Sequence, residues 1–406
     1  MTGSAILPSH ASPVAVFTAI GGVYVAQSVI GSLTMLGLPA VLRTEGLPLD
    51  QIGLLYLTVL PWAVKFLWAP NVEHYRLPPV VRNRSNLIVI VGNSLCVAGI
   101  ILVSLLQPSL LIPVIAVLAV VALVASTVDI ACDGYAVEKL ARAHHGWGNA
   151  AQVGGSYLGS AVGGGLFLVL VDKEGWQFGC FIMAAVILLL SLPFAFGPAS
   201  REVSMERSHT PSLKVTLTRP EIRLGLVATA LFVASQKWGL SMLGPFLVDQ
   251  GINLATLGLL NGAGSMFIGL TGALAGGFLV RLYGSSNVMA VVLAIQAILL
   301  AAFAWAALGG AVSNAMLIGL AIASSSGVMS IGFVALYAQF MRWSDPRQAG
   351  VDFTVFQCVD GIVSIAGGVA AGSLAEHFGH ASLFISTSML CVLIIWPLLR
   401  LMRTGP

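Results

Sequence analysis

The chain has 406 residues, of which 57% are hydrophobic and only 9% are Asp, Glu, Lys or Arg. Soluble domains carry about 25% charged residues, so this composition excludes a water-exposed fold and requires an outer surface facing hydrocarbon. The net charge of +3 provides no nucleic-acid-binding surface.

A spanning helix of about 20 residues with its turn takes roughly 30 residues, so the length suits about twelve spans. The first ten residues, MTGSAILPSH, lack the basic start of a secretory signal, and the first apolar stretch reads as a retained helix. In chain order, hydrophobic runs predict spans over 14–41, 50–69, 86–106, 111–136, 148–171 and 177–197. A polar stretch follows from Arg201 to Arg223. Six further spans are expected over 224–248, 254–280, 287–309, 314–340, 350–374 and 380–400. The five cysteines, Cys96, Cys132, Cys180, Cys358 and Cys391, fall inside these runs without CxxC spacing. They read as small buried hydrophobes, with no disulfide framework, metal site or cofactor indicated.

With both termini on the cytoplasmic side, that side holds 15 Lys and Arg residues, and the opposite side only Arg43 and Lys173. The positive-inside rule then sets the orientation. Lys65 and Lys237 fall within spans.

The decamer beginning at Gly46 (GLPLDQIGLL) recurs from Gly251 (GINLATLGLL), at an offset of 205 residues. The same offset lays Gln152 of span 5 on Gln357 of span 11. A duplicated six-helix unit follows: an N-terminal half over 1–198, a cytoplasmic linker over 199–222 and a C-terminal half over 223–406. The expected fold is all-α and integral to the membrane, with twelve transmembrane helices in two pseudo-symmetric halves. That is the major facilitator architecture, with the substrate site between the halves near the midplane.

An ionisable group inside a span costs about 2.5–3.5 kcal/mol on insertion scales unless it is paired or wetted, so each is a candidate functional residue. Asp129 and Asp133 lie four apart on span 4 and share a face, whereas Glu138, beside Lys139, reads as a solvated end residue. Lys65 is expected either to snorkel to the headgroups or to serve as counterion to Asp129, Asp133 or Asp352. A pair made across the halves would gate the cytoplasmic side. Lys237 lies mid-span, too deep to snorkel easily, and Asp360 is its nearest plausible partner. Gln27, Gln152, Gln236, Asn261 and Gln357 are either substrate ligands or interhelical hydrogen-bonding groups. Tyr24, Trp62, Trp238 and Tyr337 either stack on a ligand or simply pack. The spacing Gly155-xxx-Gly159-xxx-Gly163 reads first as a close-packing seam.

The segment from Pro61 to Tyr75, PWAVKFLWAPNVEHY, resembles the span-2 signature of the AmpG and acetyl-coenzyme A transporter branch of major facilitators. Asp129-Ile-Ala-Cys-Asp-Gly-Tyr-Ala-Val-Glu138 is similar to the span-4 motif of that branch. Glu73-His74 departs from the usual Asp-Arg after span 2, and Tyr157 stands where the muropeptide permeases tend to carry an arginine. Among compact members, the chain is most like the RhtX/FptX siderophore permeases. The resemblance implies a monomeric importer of the bacterial inner membrane that moves a siderophore, or another amphipathic metabolite, with protons. The candidate substrate contacts are Tyr24, Gln27, Trp62, Gln152, Tyr157, Gln236, Lys237, Trp238 and Gln357. The candidate coupling or gating groups are the charges within or at the ends of spans, Lys65, Asp129, Asp133, Asp352 and Asp360. Muropeptide or acyl-ester uptake and drug efflux are the alternative transport readings. For efflux, Ser160 replaces the proline of the antiporter motif that Gly155 to Gly164 otherwise resembles. A membrane-embedded enzyme or a sensor is the remaining class, with no metal-ligand motif, nucleophile elbow or phosphate-binding loop to support it.

Overall fold

The computed structural model describes residues 13–47, 51, 53–77, 83–197, 210–252 and 260–403. Every regular element among them is helical. Ten helical runs are long and apolar enough to cross a bilayer: Val14–Leu42, Ser85–Leu105, Leu111–Lys139, Arg142–Glu174, Trp176–Phe196, Pro220–Asp249, Gly262–Tyr283, Ser285–Ala307, Asn314–Trp343 and Ala349–Met402. The last is two helices, 349–378 and 380–403, joined at Gly379, whose φ of 80° breaks the run. The broken helical segment over 53–76 completes twelve spans, numbered α1 to α12 in chain order.

The segment over 53–76, α2, has a local cause for its irregularity. Pro61 and Pro70 each lack an amide hydrogen, so the chain restarts a helix at each one. The result is a 3₁₀ stretch (Gly53–Val59), a short α-helix (Leu60–Val64), a 3₁₀ turn (Lys65–Leu67) and a final helix (Ala69–Arg76). Span 2 therefore extends to Arg76, past its expected end at 69. The chain also turns tightly between α5 and α6 at Gly175 (φ 89°), a backbone conformation that a Cβ would strain.

Helix α1 packs on α5 and α6, and α3 lies between α4 and α6. In the second half, α7 packs on the α11–α12 run, and α9 packs on that run and on α10. The glycines of α5 form a seam with α1: a Cβ on Gly159 would fall 2.2 Å from Ser28 Cβ, and one on Gly163 would fall 2.3 Å from the Val29 carbonyl oxygen. Side chains such as Ile298 and Leu393 are 70% and 71% exposed, which only a lipid environment accommodates.

Contact between the halves is made by α5 on α8 and α10, and by α2 and α4 on α11. The α5–α8 contact runs along both helices, and α2 and α4 meet α11 towards the end where α2, α4, α8 and α10 finish. There Gly350 of α11 abuts Glu73 and the Ile130 carbonyl, Gly146 of α5 abuts the Gly277 carbonyl and Val280, and Asn149 of α5 reaches Met341 of α10. This end is sealed.

The expected linker is partly helical, with Leu213–Thr218 folded and α7 beginning at Pro220. Residues 198–209, with Arg201 and Arg207, lie outside the described residues, as do Arg82 and the MTGSAILPSH segment. Much of the repeated decamer, at 48–50, 52 and 253–259, lies outside them too, as do the side chains of Arg43, Asn261 and Arg403.

Candidate functional site

A cavity of about 440 Å³ lies between the halves, beside the sealed end. Two lysine–aspartate pairs from opposite halves border it, and aromatic side chains wall it.

The first pair belongs to α2 and α4. Lys65 opens the 3₁₀ turn after Pro61 and is 2% exposed. Its ammonium donates to Asp129 Oδ2 and, across the seam, to Gln357 Oε1 of α11. Trp62 sits 5.6 Å from that ammonium, measured to the ring centroid. With its amide turned to donate, Gln27 Nε2 lies 2.7 Å from Asp129 Oδ1. One helical turn on, Asp133 accepts from Tyr24 Oη at 2.8 Å and from Gln152 Nε2 at 3.4 Å. Its Oδ2 is buried and has no hydrogen-bond partner among the described residues.

The second pair belongs to α7 and α11. Lys237 Nζ donates to Asp360 Oδ1 at 2.6 Å and to Ser364 Oγ at 3.0 Å, and lies 4.5 Å from the centroid of Phe333. Tyr337 Oη donates to Asp360 Oδ2 at 3.0 Å. The Lys237 side chain is 29% exposed against 3% for Lys65, so the second pair is the more accessible. Opposite it, Tyr157 lies flat against Gly269, where a Cβ would come 2.5 Å from the ring.

Of the expected substrate residues, Tyr24, Gln27, Trp62, Gln152, Tyr157, Lys237 and Gln357 line this cavity, together with Lys65, Asp129 and Asp360. Four expectations need correction. Gln236 is fully buried, because it is the helical neighbour of Lys237 and the chain turns it into the packed interior. Trp238 is not a cavity wall: its indole donates to the Val363 carbonyl at 3.0 Å and fills the space above Gly367. Asp352 does not pair with Lys65 across the seam. It is held by Arg219 at 2.5 Å and Thr216 at 2.7 Å, both from the segment leading into α7, and by Gln348 at 2.9 Å.

Glu138 is not simply solvated. It pairs with Lys139 at 3.1 Å and accepts from Arg76 at 3.0 Å. Arg76 is fully buried at the end of α2, and it also holds both oxygens of the buried Glu73 at 2.7 and 2.8 Å. In sequence Glu73 and Arg76 fall after the expected end of span 2, and Glu138 just after that of span 4. Phe333 and Ser364 were missed as well, although Phe333 and Tyr337 lie four apart on one face of α10. In the turn after α10, burial works to raise the Asp345 carboxyl, but hydrogen bonds from Arg347 hold it below the ordinary carboxylate value. Among the described residues, no three His, Cys, Asp or Glu side chains are placed to hold a metal ion, and all five thiols are free and buried.

The family model of the Major Facilitator Superfamily matches residues 14–329. An uncharacterized protein of Haemophilus influenzae is 23% identical over 384 residues, covering 89% of this chain and 90% of its own. The anhydromuropeptide permease of Escherichia coli K12 is 28% identical over 258 residues, covering 62% of this chain and 52% of that permease, about half its length. Among solved structures, the major facilitator transporter FucP in its outward conformation superposes with a TM-score of 0.68 at 16% identity, over 95% of this chain and 98% of its own.

Proposed function

The chain belongs to the Major Facilitator Superfamily, and we propose that it imports a siderophore or its iron complex across a bacterial inner membrane by proton-coupled alternating access. The observation carrying this reading is the cavity itself, in which two lysines, each neutralised by an aspartate, face aromatic walls. At about 440 Å³ it lies within the range of small-molecule sites, about 300–1,000 Å³. Iron chelates of the phenolate or carboxylate type combine anionic oxygens with an apolar body, and this wall chemistry suits both parts.

The coupling follows from charge balance. A proton taken up by Asp360 releases Lys237 to an anionic oxygen of the ligand, whose apolar body then lies among Trp62, Tyr157 and Phe333. Protons on Asp129 or Asp133 would act likewise on the Lys65 side. With both termini cytoplasmic, the sealed end is cytoplasmic, and the form described is the one that loads from outside. The protein acts as a monomer in this reading.

The test is uptake of radioactive iron, supplied as a panel of phenolate and hydroxamate–citrate siderophores, into cells lacking their own inner-membrane siderophore permeases. One chelate should restore uptake, Lys237→Ala and Asp129→Asn should each abolish it, and a protonophore should stop it. A second reading, anhydromuropeptide uptake, is favoured by the 28% identity to the permease of that name. Uptake of a labelled anhydromuropeptide with no response to any chelate would select it.

A further inference from the structure

A second cavity, of about 570 Å³, lies away from the transport site, on the outer face of the first half between α2, α3 and α4. Its walls are apolar: Leu87, Val91 and Leu95 from α3 face Leu123 and Val124 from α4. Leu95 and Val91 are 54% and 48% exposed, so the groove opens sideways into the bilayer. Its depth comes from Gly92, where a Cβ would fall 2.2 Å from Val128 Cγ2 of α4.

The mouth of the groove is polar. Tyr75 and Asn71, both exposed residues of the last turns of α2, line it. Arg84, one turn before Leu87 and Ile88, lays its guanidinium over the Tyr75 ring, 4.9 Å from the centroid. No carboxylate among the described residues forms an ion pair with Arg84, in contrast to Arg76, which is held by Glu73 and Glu138. Deeper in, Trp68 Nε1 is already bound to Thr127 Oγ1 at 3.1 Å, so the polar groups left for a ligand are those at the mouth.

We infer that this groove binds one anionic phospholipid, its phosphate on Arg84 and its acyl chain along α3 and α4. The charge argument selects the headgroup: an uncompensated guanidinium at the membrane interface attracts anionic lipid and binds phosphate in a planar, forked geometry. The Asn71 amide is placed to donate to a glycerol ester carbonyl. The groove supplies what a bare surface arginine lacks, an apolar seat for the chain beside the charge. Its α2 wall is the turn that carries Glu73 to Gly350, so a seated lipid braces the sealed end.

The experiment is native mass spectrometry of the whole protein from nanodiscs containing phosphatidylcholine and phosphatidylglycerol. The expected result is one retained phosphatidylglycerol, preferred several-fold over phosphatidylcholine. Arg84→Ala should reduce the preference to that of phosphatidylcholine. Val91→Trp, which fills the groove but leaves Arg84, should abolish retention. Arg400→Ala is the control, because Arg400 stacks in the same manner over the exposed Trp396, 3.7 Å from its centroid. Equal retention of the two lipids by the wild type, loss of the preference in Arg400→Ala as in Arg84→Ala, or retention surviving Val91→Trp would each overturn the assignment.

Discussion

Gly350→Ala places a single methyl group in the seam between the halves. That Cβ would lie 2.5 Å from Glu73 Oε2, 2.9 Å from the Ile130 carbonyl oxygen and 3.3 Å from Ile130 Cγ2. Glu73 cannot swing aside, because Arg76 grips both of its oxygens and both residues are fully buried. The Ile130 oxygen is helix backbone. Helix α11 must therefore back away from α2 and α4, and such overpacking costs about 1–3 kcal/mol. The cost falls only on the form sealed at this end. At about 1.4 kcal/mol per tenfold, the ratio of sealed to open molecules should fall about 5- to 150-fold. The gain in helix propensity on replacing glycine, about 0.8–1 kcal/mol, applies to both forms and cancels. Gly368→Ala, on the same helix with nothing within 4 Å of its Cβ, is the matched control. Double electron–electron resonance between spin labels at Ala141 and Arg347, both exposed in the turns of the sealed end, reads the two populations. Gly350→Ala should move the distribution to longer distances and Gly368→Ala should not. An unchanged distribution in Gly350→Ala, or equal shifts in both variants, would refute the reasoning.

Lys65→Met leaves Asp129 a buried charge without its cation and should cost about 3–5 kcal/mol; adding Asp129→Asn should recover most of it in thermal melts, and failure to recover would mean that the two do not neutralise one another. Trp62→Ala should raise the KM for uptake, whereas Trp238→Phe, which removes one hydrogen bond worth about 1 kcal/mol, should lower the melting temperature and leave KM unchanged. Asp352→Asn should likewise destabilise without altering KM, because none of its partners Arg219, Thr216 and Gln348 lines the cavity; a change in KM there would place Asp352 back in the coupling path.

The spans were legible because hydropathy over about 20 residues is a local property. Eleven of them lie in the ten runs that meet that test directly, two of these in one run divided at Gly379. The position of Lys237 was legible for a related reason: a cation far from both interfaces has few places to go, and a carboxylate on a neighbouring helix is one of them. Glu138 reads as solvated, and the burial of Glu73 and Arg76 is invisible in sequence, because each lies near a span end, where hydropathy cannot distinguish a solvated charge from one buried by three converging helices. Trp238 and Gln236 flank Lys237 and share its span, yet about 100° of helical rotation per residue turns each onto a different neighbour. Which face an inner helix shows to the cavity depends on tertiary packing, and a helix apolar nearly all round carries little of that information in its periodicity.

The internal repeat constrains the scaffold and leaves the charges free. At the offset of 205 residues, Gln152 falls on Gln357, and both line the cavity. The same offset carries Lys65 to Leu270 and Asp129 to Val334, while Lys237 goes back to Ser32 and Asp360 to Gly155. One half thus mounts its pair on α2 and α4, and the other on α7 and α11. The two pairs consequently differ in access: the first is sealed and bonded across the seam through Gln357, the second open and bonded within its own half. A symmetric pair of sites would respond alike to a ligand and to closure of the seam. Among the described residues, the Lys65 ammonium is bonded to a residue of the other half and the Lys237 ammonium is not, so parting of the halves at this end breaks a bond of the first pair and leaves the second whole.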